Sequence, residues 1–61
     1  MNVIRTYGIY QLVHEPLQNM YRVTDGTNLS YWFNSDTKDE LMDLDNDQFE
    51  NECEELIEIA K

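Results

Sequence analysis

The sequence predicts an α+β fold for a single small acidic domain that spans residues 1–61. We expect a three-stranded antiparallel β-meander over residues 3–34, a short helical turn over 37–43, and a C-terminal amphipathic helix over 46–60 packed on the sheet. Three observations predict this order. Residues that favour strands dominate the first half, an Asp-Gly pair separates two of these runs, and apolar residues recur at helical spacing near the end.

The first half contains three runs that favour β-strands. The first is Tyr7–His14, rich in β-branched and aromatic residues. A turn should follow it, because Pro16 fixes its own φ and disfavours a helical conformation in the preceding residue. The second and third runs are residues 20–24 and 28–34. Between them lies Asp25-Gly26, the preferred chemistry for a tight type I′ hairpin.

The second half contains two helix starts. Thr37 with Glu40 three positions later fits a capping box and predicts the start of the short helical turn. Asp45 is a favourable N-cap for the C-terminal helix. After it, apolar residues recur at i, i+4, i+7, i+8 and i+11 and form one stripe that should pack on the sheet. This stripe consists of Phe49, Cys53, Leu56, Ile57 and Ala60.

The net charge of −9 lies entirely in the second half of the chain. Residues 1–34 carry two acids and two arginines, whereas residues 35–61 carry eleven carboxylates against two lysines. On a helical wheel, four acids face away from the apolar stripe, and Glu55 adjoins them. The C-terminal helix has no basic residue before Lys61, so like charges at i, i+4 spacing are not neutralised. The four acids are Asp47, Glu50, Glu54 and Glu58.

The acidic face predicts a binding role, in which carboxylates stand in for nucleic-acid phosphates. In size and charge, the chain resembles the small acidic inhibitors that viruses direct at nucleic-acid-binding defence enzymes, such as anti-CRISPR and anti-restriction proteins. The resemblance is one of composition alone. It implies a non-enzymatic inhibitor of a basic nucleic-acid-binding protein, such as a CRISPR or restriction effector in the host cytoplasm. The alternative is a solvated face that only keeps the protein soluble.

A second hypothesis is an aromatic docking surface. Tyr31, Trp32 and Phe33 place large aromatics on both faces of the expected third strand, so one face should be exposed, with Tyr7 or Tyr21 beside it. Such a surface would bind a protein partner or form a homodimer. In the alternative, the short helical turn covers it. Together the two hypotheses give these candidate partner-binding residues: Asp43, Asp47, Glu50, Glu54, Glu55, Glu58, Tyr31 and Trp32.

We expect no metal site. Asp43, Asp45 and Asp47, with Glu54 eleven positions after Asp43, partly match a calcium-binding loop. The sixth position, however, holds Gln48 where such a loop needs glycine. The same acids are also explained as the start of a helix.

No catalytic motif is present, and we expect neither enzymatic activity nor a cofactor. His14 and Cys53 do not occur in a recognisable catalytic spacing, although sequence does not exclude their pairing. A single cysteine allows no internal disulfide, which fits a reducing compartment. No leader or membrane-spanning run is seen, and together these features favour the cytoplasm. A pI near 4.1 predicts repulsion from nucleic acid and anionic membranes and attraction to basic proteins.

Overall fold

A computed structural model describes all residues 1–61 as a three-stranded sheet followed by two helices. The strands have the order β1-β2-β3, and both neighbouring pairs are antiparallel. The helices pack on the sheet, so the predicted α+β fold is confirmed. The elements are β1 Asn2–Tyr7, β2 Tyr10–Glu15, β3 Met20–Thr24, α1 Ser35–Asp43 and α2 Asn46–Ile59.

The predicted first strand, Tyr7–His14, is in fact interrupted by a two-residue turn. Tyr7 and Tyr10 pair across it, and Gly8 has a φ of +60° while Ile9 does not have a positive φ. A positive φ at the first central position only is the pattern of a type II′ hairpin, which selects glycine there. The prediction was wrong because the β-forming residues on both sides of Gly8 made one continuous run.

The predicted third strand, residues 28–34, is wrong as a regular strand. The segment runs along β3 but joins it through only two isolated antiparallel bridges, Thr24 with Leu29 and Tyr21 with Phe33. Between these bridges the segment has one residue more than β3. Ser30 compensates, because its N–H donates to the Val23 carbonyl at 3.0 Å while its hydroxyl accepts the Val23 N–H at 3.0 Å. A side chain thus replaces a backbone carbonyl in the ladder.

The turn at Asp25-Gly26 exists but is not type I′. Only Gly26 has a positive φ, +96°, whereas a type I′ turn requires one at both central residues. The Asp25 carboxylate instead accepts the N–H groups of Thr27 at 2.9 Å and Asn28 at 2.7 Å. These bonds lower the pKa of Asp25. A side-chain turn of this kind leaves the following segment out of regular register with β3.

Of the two predicted helix N-caps, one is wrong and one is confirmed. Asn34 is the N-cap of α1, and its Oδ1 accepts the N–H groups of Asp36 at 3.1 Å and Thr37 at 3.3 Å. The capping box at Thr37 is therefore wrong, since Thr37 lies inside the first turn of α1. Asp45 is confirmed as the N-cap of α2, where it accepts the Gln48 N–H at 2.8 Å.

The core lies between the sheet and both helices. Its side chains are at most 3% exposed, and Leu56 packs against them at the edge. The apolar stripe of α2 therefore faces the sheet as predicted. The core residues are Leu12 and Val23 from the sheet, Leu41 from α1, and Phe49, Cys53 and Ile57 from α2.

Arg5 connects β1 to both helices. Its Nη1 donates to the Leu41 carbonyl at 2.6 Å and to the Met42 carbonyl at 3.4 Å, and its Nη2 donates to Asn46 Oδ1 at 3.4 Å. The guanidinium also lies 4.3 Å from the centroid of the Phe49 ring. Since α1 has no basic residue in its last turn, Arg5 supplies the cation that its carboxyl end lacks.

Gly26→Ala should destabilise the fold by about 1–2 kcal/mol, because a φ of +96° is unfavourable for any residue with a Cβ. No atom lies within 4 Å of the position of the added Cβ, so the loss of stability reports backbone strain and no steric clash. Urea unfolding followed by circular dichroism checks this. Gly26→Asn, which tolerates positive φ better, should lose less. An alanine variant as stable as the original chain would contradict the turn described here.

Arg5→Met should destabilise the fold by about 2–3 kcal/mol, since it removes charge-assisted hydrogen bonds and a cation–π contact. Arg22→Met is the matched control, because Arg22 contacts an aromatic ring but caps no helix. The same unfolding assay compares the two. If Arg5→Met loses no more stability than Arg22→Met, the capping role of Arg5 is wrong.

Candidate partner-binding surface

The exposed side of α2 is a continuous acidic surface. Glu54, Glu55 and Glu58 are solvent-exposed and, with Asn51, line a shallow depression of about 390 Å³ without any apolar side chain. Asp47, in the first turn of α2, is also exposed and lies on the same side at helical spacing. We call Asp47, Glu54, Glu55 and Glu58 the outer acidic face.

Glu50 lies at the inner edge of this surface rather than on its outer line. It is only partly exposed, and its Oε2 is 3.8 Å from where a Cβ on Gly8 would stand, so it approaches the β1–β2 turn. Tyr10 lies close to Glu50 and Glu54. Burial is the largest cause that raises the pKa of the Tyr10 hydroxyl, and the charges of Glu54 and Glu50 raise it further. Glu50 therefore belongs to the junction between α2 and the hairpin.

Asp43 is separated from the outer acidic face. It is the last residue of α1 and is exposed, and it lines a groove between the two helices. Asp43 was predicted as a partner-binding residue together with the acids of α2. The structure places it on a different surface.

All four basic side chains contact other groups of the fold, although the buried Nε of Arg22 has no hydrogen-bond partner. Arg5 caps α1, and the Arg22 guanidinium lies 4.1 Å from the Trp32 ring centroid. Lys38 Nζ lies 2.6 Å from Asp39 Oδ1, and Lys61 Nζ lies 3.4 Å from Glu58 Oε2 in an exposed pair. The remaining carboxylates of the outer acidic face have no basic partner. Exposed pairs such as the lysine pairs contribute little, so the face keeps its negative potential.

The expected aromatic docking surface is much smaller than predicted. Tyr31 is 65% exposed, but Trp32 is partly buried against Arg22. Tyr7 and Tyr21 do not join them, because both pack against the core that the helices cover. Phe33 also packs against this core. The exposed aromatic surface of the segment is therefore Tyr31 with part of Trp32.

His14 and Cys53 have separate environments. The His14 ring stacks on Tyr21 at 4.6 Å between centroids, and its Nε2 is 3.1 Å from Asn19 Oδ1. Cys53 is completely buried, and burial raises the pKa of its thiol to about 12. A thiol held in its protonated form is a poor nucleophile.

The residues that partly match a calcium loop belong to the turn between the helices. Asp43 ends α1, Asp45 caps α2, and Asp47 follows inside α2. No group of three or more His, Cys, Asp or Glu side chains has an arrangement that could hold a metal ion. Neither helix has the length and apolar character needed to cross a membrane.

The groove between α1 and α2 has a volume of about 400 Å³ and was not predicted. Its lining combines apolar and acidic side chains from both helices. The sequence contained one signal for it, since Glu52 flanks the apolar stripe of α2, but the pairing of the helices was needed to form a concave surface. The lining residues are Thr37, Glu40, Leu41, Asp43, Leu44, Glu52 and Leu56.

The buried thiol should make the stability of the fold depend on alkaline pH. The thiol pKa is raised from 9.0 to about 12, so above pH 9 the unfolded chain loses a proton that the folded chain retains. The free energy of unfolding should therefore fall between pH 9 and 12. Measured by urea unfolding across this range, the fall should be smaller in Cys53→Ala. Equal pH slopes in both proteins would contradict a buried thiol.

Two surface features thus distinguish the chain, namely the outer acidic face and the groove between the helices. No protein-family model, curated protein or solved structure matches the chain. A function is therefore proposed from the geometry and charge of these two surfaces.

Proposed function

We propose that this chain is a non-enzymatic inhibitor that blocks the basic nucleic-acid channel of another protein with its outer acidic face. The observation that carries the proposal is an exposed row of carboxylates in which only Glu58 has a basic partner, Lys61, while the other three cations of the chain are engaged elsewhere. The partner class is a protein that lines a channel with Lys and Arg, such as a CRISPR or restriction effector in the host cytoplasm.

The spacing of the acids supports phosphate mimicry. Carboxylates at i and i+4 on a helix are about 5–6 Å apart at Cβ, a distance similar to that between successive phosphates on a nucleic-acid strand. Glu54 and Glu58 have this spacing on α2, Asp47 lies on the same side about two turns before Glu54, and Glu55 widens the row. A channel that binds phosphates through Lys and Arg would meet complementary charge along this row.

The support beneath α2 favours tight binding. Phe49, Cys53 and Ile57 hold the opposite side of the helix in the core at no more than 3% exposure. The acids are consequently displayed on an element that is ordered before binding. Pre-ordering lowers the entropy lost on association, and an unneutralised charge also accelerates encounter with a basic partner.

A second candidate function is docking through Tyr31 and Trp32 onto a protein partner or a second copy of the chain. The observation in its favour is the 65% exposure of Tyr31 beside a tryptophan that is only partly buried. Tyrosine and tryptophan are enriched in protein interfaces. In this case the acids serve solubility, and ionic strength should have little effect on binding.

Inhibition of nucleic-acid cleavage by a panel of CRISPR and restriction effectors tests the proposal. The chain should inhibit at least one effector, added nucleic acid should relieve inhibition competitively, and rising salt should weaken it. Glu54→Lys with Glu58→Lys should weaken inhibition at least tenfold, because like charges then face each other. Both residues are exposed, so the fold should be retained.

The matched control is Asp36→Lys with Asp39→Lys, which reverses two exposed acids of α1 and produces the same change in net charge. It should leave inhibition nearly unchanged. If both double variants lose inhibition equally, the chain is attracted to the effector by its net charge alone. If Tyr31→Ala reduces binding more than the α2 reversal does, docking through the aromatic segment is the better explanation.

A further inference from the structure

The groove between α1 and α2, which we call the interhelical groove, shares no residue with the outer acidic face. Its floor is formed by Leu41, Leu44 and Leu56. Leu41 belongs to the core, and the other two are partly buried against it. The volume of about 400 Å³ falls within the range of roughly 300–1,000 Å³ that is common for ligand sites. The fold therefore leaves open a concave apolar surface.

The rim of the interhelical groove has a single sign of charge. Glu40 and Asp43 stand on α1 and Glu52 on α2, and all three are exposed. No Lys or Arg lines the groove. Arg5 caps the carboxyl end of α1 from outside the groove lining, so the negative charge of the rim comes from these three carboxylates. An occupant must therefore combine apolar surface with positive charge.

We propose that the interhelical groove binds a short amphipathic segment of a partner protein, in which apolar side chains are flanked by Lys or Arg. The apolar side chains displace water from the leucine floor, and the cations face the three acids of the rim. The proposal goes beyond channel blocking, since it concerns a separate surface and a different kind of recognition.

Charge complementarity selects this occupant over others. Nucleic acid and acidic segments would meet the negative rim and be repelled. A second copy of this chain fits poorly, because its net charge is −9 and its four cations are engaged within its own fold. A basic amphipathic segment satisfies both the floor and the rim.

The test uses a labelled helical peptide in which two leucines one turn apart are flanked by lysines. Its binding is measured by fluorescence anisotropy at physiological salt. We expect saturable binding. A peptide with serines in place of the leucines should bind at least tenfold more weakly, and one with glutamates in place of the lysines should not bind. Absence of binding by the leucine–lysine peptide overturns the proposal, as does equal binding by the serine peptide.

Two charge-matched variants locate the site. Glu40→Lys with Glu52→Lys should weaken binding of the peptide at least tenfold, while Glu54→Lys with Glu58→Lys, on the outer acidic face, should change it less than threefold. All four residues are exposed, so both variants should fold, which circular dichroism verifies. Equal weakening would mean attraction by net charge and would overturn the proposal. The groove variant should still inhibit in the cleavage assay, so the two proposals fail separately.

Discussion

The contact of Arg5 with the two helices is the interaction on which the rest of the structure depends. The two helices and the two-residue connection between them carry eleven carboxylates, which repel one another. Arg5 places one cation at this connection, where it caps the carbonyls of Leu41 and Met42, reaches Asn46 and lies over Phe49. The bulge in β1 between Val3 and Arg5 accompanies this placement. The interhelical groove depends on this contact, because Arg5 holds the end of α1 beside the start of α2.

The three other cations of the chain also have contacts within the fold. Arg22 lies on Trp32, Lys38 pairs with Asp39, and Lys61 pairs with Glu58 at the end of α2. A chain of this length buries only about 60% of the surface of its unfolded form, so its stability is modest and repulsion among its acids matters. Keeping all but Glu58 of the outer acidic face without a counter-charge therefore costs stability, and binding to a basic partner would lower that cost.

The two surfaces require different kinds of recognition. The outer acidic face lacks apolar side chains and suits a partner that offers charge over an extended row, whereas the interhelical groove offers three leucines within an acidic rim. The first should depend strongly on salt, and the second should retain an apolar contribution when salt is high. Their positions on one helix pair would allow both to act on one partner.

The sequence alone determined α2, because its signals are local. Asp45 caps its own helix, and the apolar stripe from Phe49 to Ala60 specifies which side is buried, so the outward direction of Glu54 and Glu58 followed as well. Only the tertiary structure decided the remaining features. Whether residues near Gly8 form one strand or a hairpin, and whether Ser30 pairs through its backbone or its hydroxyl, depends on neighbours distant in sequence. The partners of the arginines and the interhelical groove likewise arise only when separate elements pack together, because a local pattern specifies a helix or strand but not what it will face.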